Sequence, residues 1–148
     1  MLTGHGYRYS AFQTHKAEAE MAKVLIVDDE PHIRRLLAEF LSDGGYEVFE
    51  AEDGLSCVDK AHQHRPDVIL LDVLMPVMNG LQALKDLREN PATSKIPVIL
   101  MTAFSQIDSE LSELSEALRD VIYLAKPWTL GAVEQAIENG LRMAERQS

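Results

Sequence analysis

The sequence predicts an α/β protein: five strands alternating with five helices, a (βα)5 unit folded as a doubly wound, five-stranded parallel sheet. Three observations point there. The runs Val24–Val27, Val68–Leu71 and Val98–Met101 are apolar at every position, which suits strands covered on both faces. The intervening segments repeat their apolar residues at helical spacing. Each of these apolar runs stops at a polar residue, as at the ligand-binding edge of an open sheet.

The first strand, Val24-Leu25-Ile26-Val27, ends in Asp28-Asp29-Glu30, and Pro31 suits the first turn of a helix. Ile33, Leu36, Leu37, Phe40 and Leu41 form one apolar stripe, and Gly44-Gly45 supplies a left-handed stop. Tyr46 to Ala51 is more polar and alternating, as an edge strand would be. Gly54 to His64 reads as a second helix with Leu55, Val58 and Ala61 inward.

The third strand, Val68–Leu71, ends in Asp72, and Pro76 with Asn79-Gly80 reads as turn chemistry. Leu81, Leu84 and Leu87 mark a third helix ending near Asn90-Pro91. Val98 to Met101 is closed by Thr102. Ile107, Leu111, Leu114 and Leu118 space a fourth helix with an acidic outer face. Val121 to Ala125 is a fifth strand stopped by Lys126-Pro127. Leu130, Val133, Ile137 and Leu141 make the last helix, whose final turns Gly140 should weaken.

At 148 residues the chain makes one domain with a full core, and 46% hydrophobic composition fits an ordinary globular protein. The net charge of -10 argues against direct nucleic-acid binding, which needs clustered Lys and Arg. The lone Cys57 fits a reducing, cytoplasmic setting and reads as a packed core thiol. His5, His15, His32, His62 and His64 show no metal spacing and read as surface residues. No apolar run is long enough for a membrane span. Residues 1–20 lack helical or strand period and are expected to be a flexible extension, with residues 21–148 the folded domain and Met21 a candidate start.

Asp72 alone would be read as a strand end and turn cap. Its significance comes from the other strand ends, because Asp28-Asp29, Asp72, Thr102 and Lys126 all fall on one edge of the sheet. Three carboxylates in one crevice need a cation, and Lys126 offers only one positive charge. Mg2+, with Mn2+ as an alternative, takes such oxygen ligands. A carboxylate can also act as nucleophile and become an aspartyl phosphate. Phosphoryl transfer chiefly needs positioning and charge neutralisation, which Lys126 and the Thr102 hydroxyl can share.

From about Lys23 to Arg142 the chain resembles the receiver domain of two-component response regulators. The matching residues are Asp28-Asp29-Glu30-Pro31, Pro66-Asp67, Asp72, Met75-Pro76, Asn79-Gly80, Thr102-Ala103 and Lys126-Pro127. The resemblance implies a flavodoxin-like (CheY-like) sheet of order 2-1-3-4-5. It implies Asp72 as phosphoacceptor, and Asp28, Asp29, Asp72 and the Leu74 backbone carbonyl around Mg2+, Asp28 acting largely through water. Thr102, Ala103 and Lys126 would bind the phosphoryl group, Thr102 and Tyr123 would switch, and a cis Lys126-Pro127 bond would aim the lysine inward. The implied partners are a histidine kinase or histidine phosphotransfer protein. A downstream protein or a phosphorylation-dependent homodimer would meet the face made by the fourth helix, fifth strand and fifth helix.

Two departures stand out. Leu74 and Phe104 occupy positions that flank the route of a water attacking the phosphoryl group in such receivers, and being apolar they imply slow self-dephosphorylation. Leu118-Arg119-Asp120-Val121 replaces a Gly-Ala turn common in the family. The expectation is a stand-alone, non-enzymatic switch, since the chain ends with its last helix. The alternatives are the N-terminal part of a DNA-binding response regulator and a haloacid-dehalogenase-like phosphatase. The phosphatase wants a second Asp where Leu74 stands. A flavodoxin-like cofactor binder would need a phosphate loop where the acidic Asp28-Asp29-Glu30 stands.

Overall fold

A computed structural model describes residues 21–75, 78–103 and 120–147. The elements are β1 (Lys23–Val27), α1 (Pro31–Asp43), β2 (Glu47–Ala51), α2 (Gly54–His64), β3 (Val68–Asp72), α3 (Gly80–Glu89), β4 (Val98–Thr102), β5 (Val121–Ala125) and α4 (Leu130–Gln147). The five strands are parallel, in the order β2-β1-β3-β4-β5. The expected order is therefore observed, with β2 on an edge. The extension over residues 1–20 and the expected fourth helix, Ile107 to Leu118, lie outside the described residues.

Strand alternation builds two cores from one sheet. Leu25, Val27, Ile69, Leu71 and Leu100 pack on one face against Cys57 and Ala61 of α2 and Leu81, Leu84 and Leu87 of α3. Val24, Ile26, Leu70, Ile99 and Met101 pack on the other against Leu37 and Leu41 of α1 and Val133, Ile137 and Leu141 of α4. Every residue of β3 and β4 is buried. Each fully buried Leu or Ile contributes about 1.5–3 kcal/mol, so these two strands anchor the molecule.

The helix stripes needed correction. Leu36 and Leu55, expected inward, are 45% and 52% exposed. The covered surface on α1 is a narrow strip through Leu37 and Leu41, and on α2 it centres on Cys57 and Ala61. His64, expected on the surface, is half-buried and stacks on Phe49 of β2 with ring centroids 4.0 Å apart. The Gly44-Gly45 stop divides its roles: Gly44 stays right-handed while Gly45 takes φ 96°. The last helix, α4, runs on through Gly140 to Gln147. A Cβ on Gly140 would lie 3.1 Å from Val68, so this glycine lets the helix approach the sheet.

Asn79-Gly80 begins a helix rather than a free turn. The Asn79 side chain accepts from the Gln82 N–H, and the Gln82 side chain accepts from the Asn79 N–H. Where the sequence lacks a Gly-Ala turn before β5, Asp120 itself adopts φ 60°, a conformation Asp tolerates better than most residues.

Candidate acidic phosphoryl site

Register alone brings the polar strand ends together. Val27 pairs with Leu71, so Asp28 and Asp72 emerge side by side at the carboxyl edge. Asp72 pairs with Met101 and Thr102 with Ala125, which sets Thr102 and Lys126 beside them. The β3–α3 connection is drawn tight over this edge. The Gly80 N–H donates to the Val73 carbonyl at 2.8 Å, and a Cβ on Gly80 would lie 2.3 Å from the Asp72 carbonyl oxygen. Glycine is needed there because backbone meets backbone.

Carboxylate oxygens of Asp28, Asp29 and Asp72 all lie within 4.8 Å of one another. Two oxygens on one Mg2+ can stand about 4.2 Å apart at most, given bonds of about 2.1 Å. The set is therefore close enough to gather round a small hard cation, directly or with water between one carboxylate and the ion. Asp28 and Asp72 are buried and Asp29 is exposed, which leaves the pocket open on one side.

Lys126 Nζ donates to Asp72 Oδ1 at 2.7 Å. Burial pushes the Asp72 carboxyl up from its ordinary value, against the hydrogen bond and charge of Lys126 and the Leu74 N–H. Burial likewise raises Asp28 to about 6, opposed by the Glu30 N–H and reinforced by the negative charge of Asp72.

Thr102 is 3% exposed, and its hydroxyl donates to the Ala103 carbonyl at 2.9 Å. The Lys126-Pro127 bond is cis. Leu74 is 56% exposed, immediately beyond the pocket, and Tyr123 is 47% exposed on the edge strand β5. Phe104 lies outside the described residues.

Sequence reasoning missed Arg34. Its Nη1 donates to the Asp28 carbonyl at 2.7 Å and its Nε to Glu50 Oε1 at 3.1 Å. The available signal was its place one turn into the helix that follows Asp28-Asp29, a position from which a long side chain can reach back to that loop.

Residues 24–138 match the model of the response regulator receiver domain. Protein PilH of Pseudomonas aeruginosa is 41% identical over 107 residues, 72% of this chain and 87% of that protein. Chemotaxis response regulator CheY4 of Vibrio cholerae superposes with a TM-score of 0.72 at 34% identity, over 82% of this chain and 99% of that one. The receiver domain of sensor histidine kinase PA1611 from P. aeruginosa, solved with magnesium in its active-site cleft, gives a TM-score of 0.71 at 27% identity, over 82% of this chain and 98% of that domain. Other relatives are longer, and the chain spans 47%, 52% and 25% of three of them. Among the described residues no helix is long and apolar enough to cross a membrane.

Proposed function

The chain belongs to the response regulator receiver family, whose members are phosphoacceptor switches of two-component signalling, and from that premise we propose that Asp72 is the residue phosphorylated. The observation that carries this reading is the convergence of Asp28, Asp29 and Asp72 with Lys126 Nζ 2.7 Å from Asp72. An Asp72 carboxylate oxygen attacks the phosphorus of a phosphohistidine on a kinase or phosphotransfer protein. The new O–P bond forms as the P–N bond breaks, and the leaving imidazole keeps the electron pair and takes a proton.

Asp28, Asp29, Asp72 and the Leu74 carbonyl would hold Mg2+, or Mn2+ in its place. The bound ion supplies charge neutralisation at the phosphoryl oxygens. Lys126 supplies a second positive charge, and the Thr102 hydroxyl and Ala103 N–H complete the phosphoryl contacts. For Thr102 to do so its hydroxyl must leave the Ala103 carbonyl, and that motion is our proposed trigger. Tyr123, half exposed on β5, reports it to the surface formed by β5, α4 and the expected fourth helix, where a downstream protein or a second copy would bind.

The acidic balance, 24 Asp and Glu against 14 Lys and Arg, favours a protein partner over direct contact between this domain and DNA. Leu74 sits where a haloacid-dehalogenase-like phosphatase needs its acid/base Asp, which disfavours turnover of a phosphate ester. Incubation with Mg2+ and acetyl phosphate tests the reading by intact mass. Wild type should gain one phosphoryl group and Asp72→Asn none. An Asp72→Asn protein modified as fully as wild type would overturn it.

A further inference from the structure

We propose that Arg34 is a positioning residue for the acidic pocket, its guanidinium locking the Asp28–Asp29 peptide so that the Asp29 carboxylate stays within reach of Asp72. This rests on the reading of that pocket as the Mg2+ site.

Asp28 is tied at three points. Its N–H donates to the Ala51 carbonyl at 3.2 Å, and its Oδ1 accepts from the Glu30 N–H at 2.9 Å. Its carbonyl accepts from Arg34 Nη1 at 2.7 Å, the one tie of the three that comes from a side chain. A peptide unit moves as a plane, so holding the Asp28 carbonyl also sets the direction in which the chain enters Asp29. Asp29 is exposed, so packing does little to fix it. Yet its carboxylate lies within 4.8 Å of its two buried neighbours.

Arg34 is itself well braced. Its side chain is only 17% exposed, and Nε donates to Glu50 Oε1 at 3.1 Å. Glu50 sits on β2 opposite Ile26 of β1, two residues before Asp28, and Lys60 Nζ holds its backbone carbonyl at 2.7 Å. The fork therefore spans from the edge strand to the pocket loop. Glu50 offsets the Arg34 charge, leaving geometry as the contribution. A lysine has one terminal nitrogen and cannot reproduce the planar two-armed contact.

The experiment counts free Mn2+ by electron paramagnetic resonance, with Mg2+ as competitor, in wild type, Arg34→Ala, Arg34→Lys, Glu50→Ala and Arg35→Ala. Unfolding midpoints are measured in EDTA alongside. Arg34→Ala and Arg34→Lys should each weaken ion binding about ten-fold, the low end for groups that orient metal ligands. Glu50→Ala should shift in the same direction by less. Arg35→Ala, which removes the same charge from an exposed neighbouring position, should bind as wild type does. Wild-type affinity in Arg34→Ala, full rescue by lysine, or equal weakening in Arg35→Ala overturns the positioning role. If Arg34→Ala does not fold, Arg34→Lys and Glu50→Ala decide by the same criteria. A wild type that binds neither ion overturns the pocket reading, and this inference with it.

Discussion

Lys126 Nζ lies 2.7 Å from Asp72 Oδ1 although the two residues are 54 positions apart. They meet because β4 separates β3 from β5 by one strand, and a lysine at the end of β5 is long enough to cross it. Asp72 is almost wholly buried, whereas the Lys126 side chain is 34% exposed. Breaking this contact strands a buried carboxylate.

Lys126→Ala should therefore lower metal-free stability at about pH 8 by ~1–3 kcal/mol, less than a fully buried pair would lose because water already screens the lysine. The deficit should shrink as pH falls, because a carboxyl raised by burial takes up its proton more readily and then no longer needs the cation. Urea unfolding at about pH 8 and at a lower pH checks this. An equal deficit at both would mean the lysine contributes packing alone.

Asp28 makes a second, opposite pH dependence. Its carboxyl is raised by burial from an ordinary 3.8 to about 6, so the unfolded chain loses that proton first. This term favours the fold below about 3.8, and its benefit is lost as pH climbs towards 6. Relative to Asp28→Asn, metal-free wild type should lose about 2–3 kcal/mol between about pH 4 and about pH 7, at 1.36 kcal/mol per pH unit. Saturating Mg2+ should flatten the difference, since the ion stabilises the charged form. A pH-independent gap between the two proteins contradicts it.

Leu74 stands 56% exposed beside the pocket and has no group to orient water. After phosphorylation with acetyl phosphate and removal of the donor, Leu74→Asn should lose phosphate faster than wild type. The gain should fall between about two-fold and the ~100-fold that a full general base supplies. Phe104→Glu should act in the same direction. Decay followed by intact mass gives the rates, and two variants no faster than wild type would remove the slow-hydrolysis reading.

Two glycines should respond oppositely to alanine. Gly80→Ala drives a Cβ to 2.3 Å from the Asp72 carbonyl oxygen and 2.8 Å from Val73 Cα, so backbone must shift at a cost of about 2–3 kcal/mol. Phosphorylation should slow with it. Gly131→Ala, whose Cβ would meet nothing nearer than Thr129 Oγ1 at 3.9 Å, should be neutral or stabilising by up to about 1 kcal/mol. Thermal unfolding of both variants checks the contrast.

The alternation of apolar runs with helical stripes determined the fold class, because strands apolar at every position require cover on both faces. The aspartates, threonine and lysine ending those runs were legible for the same reason, since parallel strands put all their carboxyl ends on one edge. Which stripe residues are covered was not legible: the pattern places Leu36 and Leu55 with their neighbours, yet only the helices' rotation against the sheet leaves both in solvent. The roles of Gly80, Gly140 and Arg34 were likewise decided by tertiary structure. Each depends on the distance between elements far apart or differently oriented along the chain, such as a carbonyl 2.3 Å from an absent Cβ or a guanidinium reaching from α1 to both β2 and Asp28. Periodicity records which faces are apolar, and only packing sets how closely those faces approach.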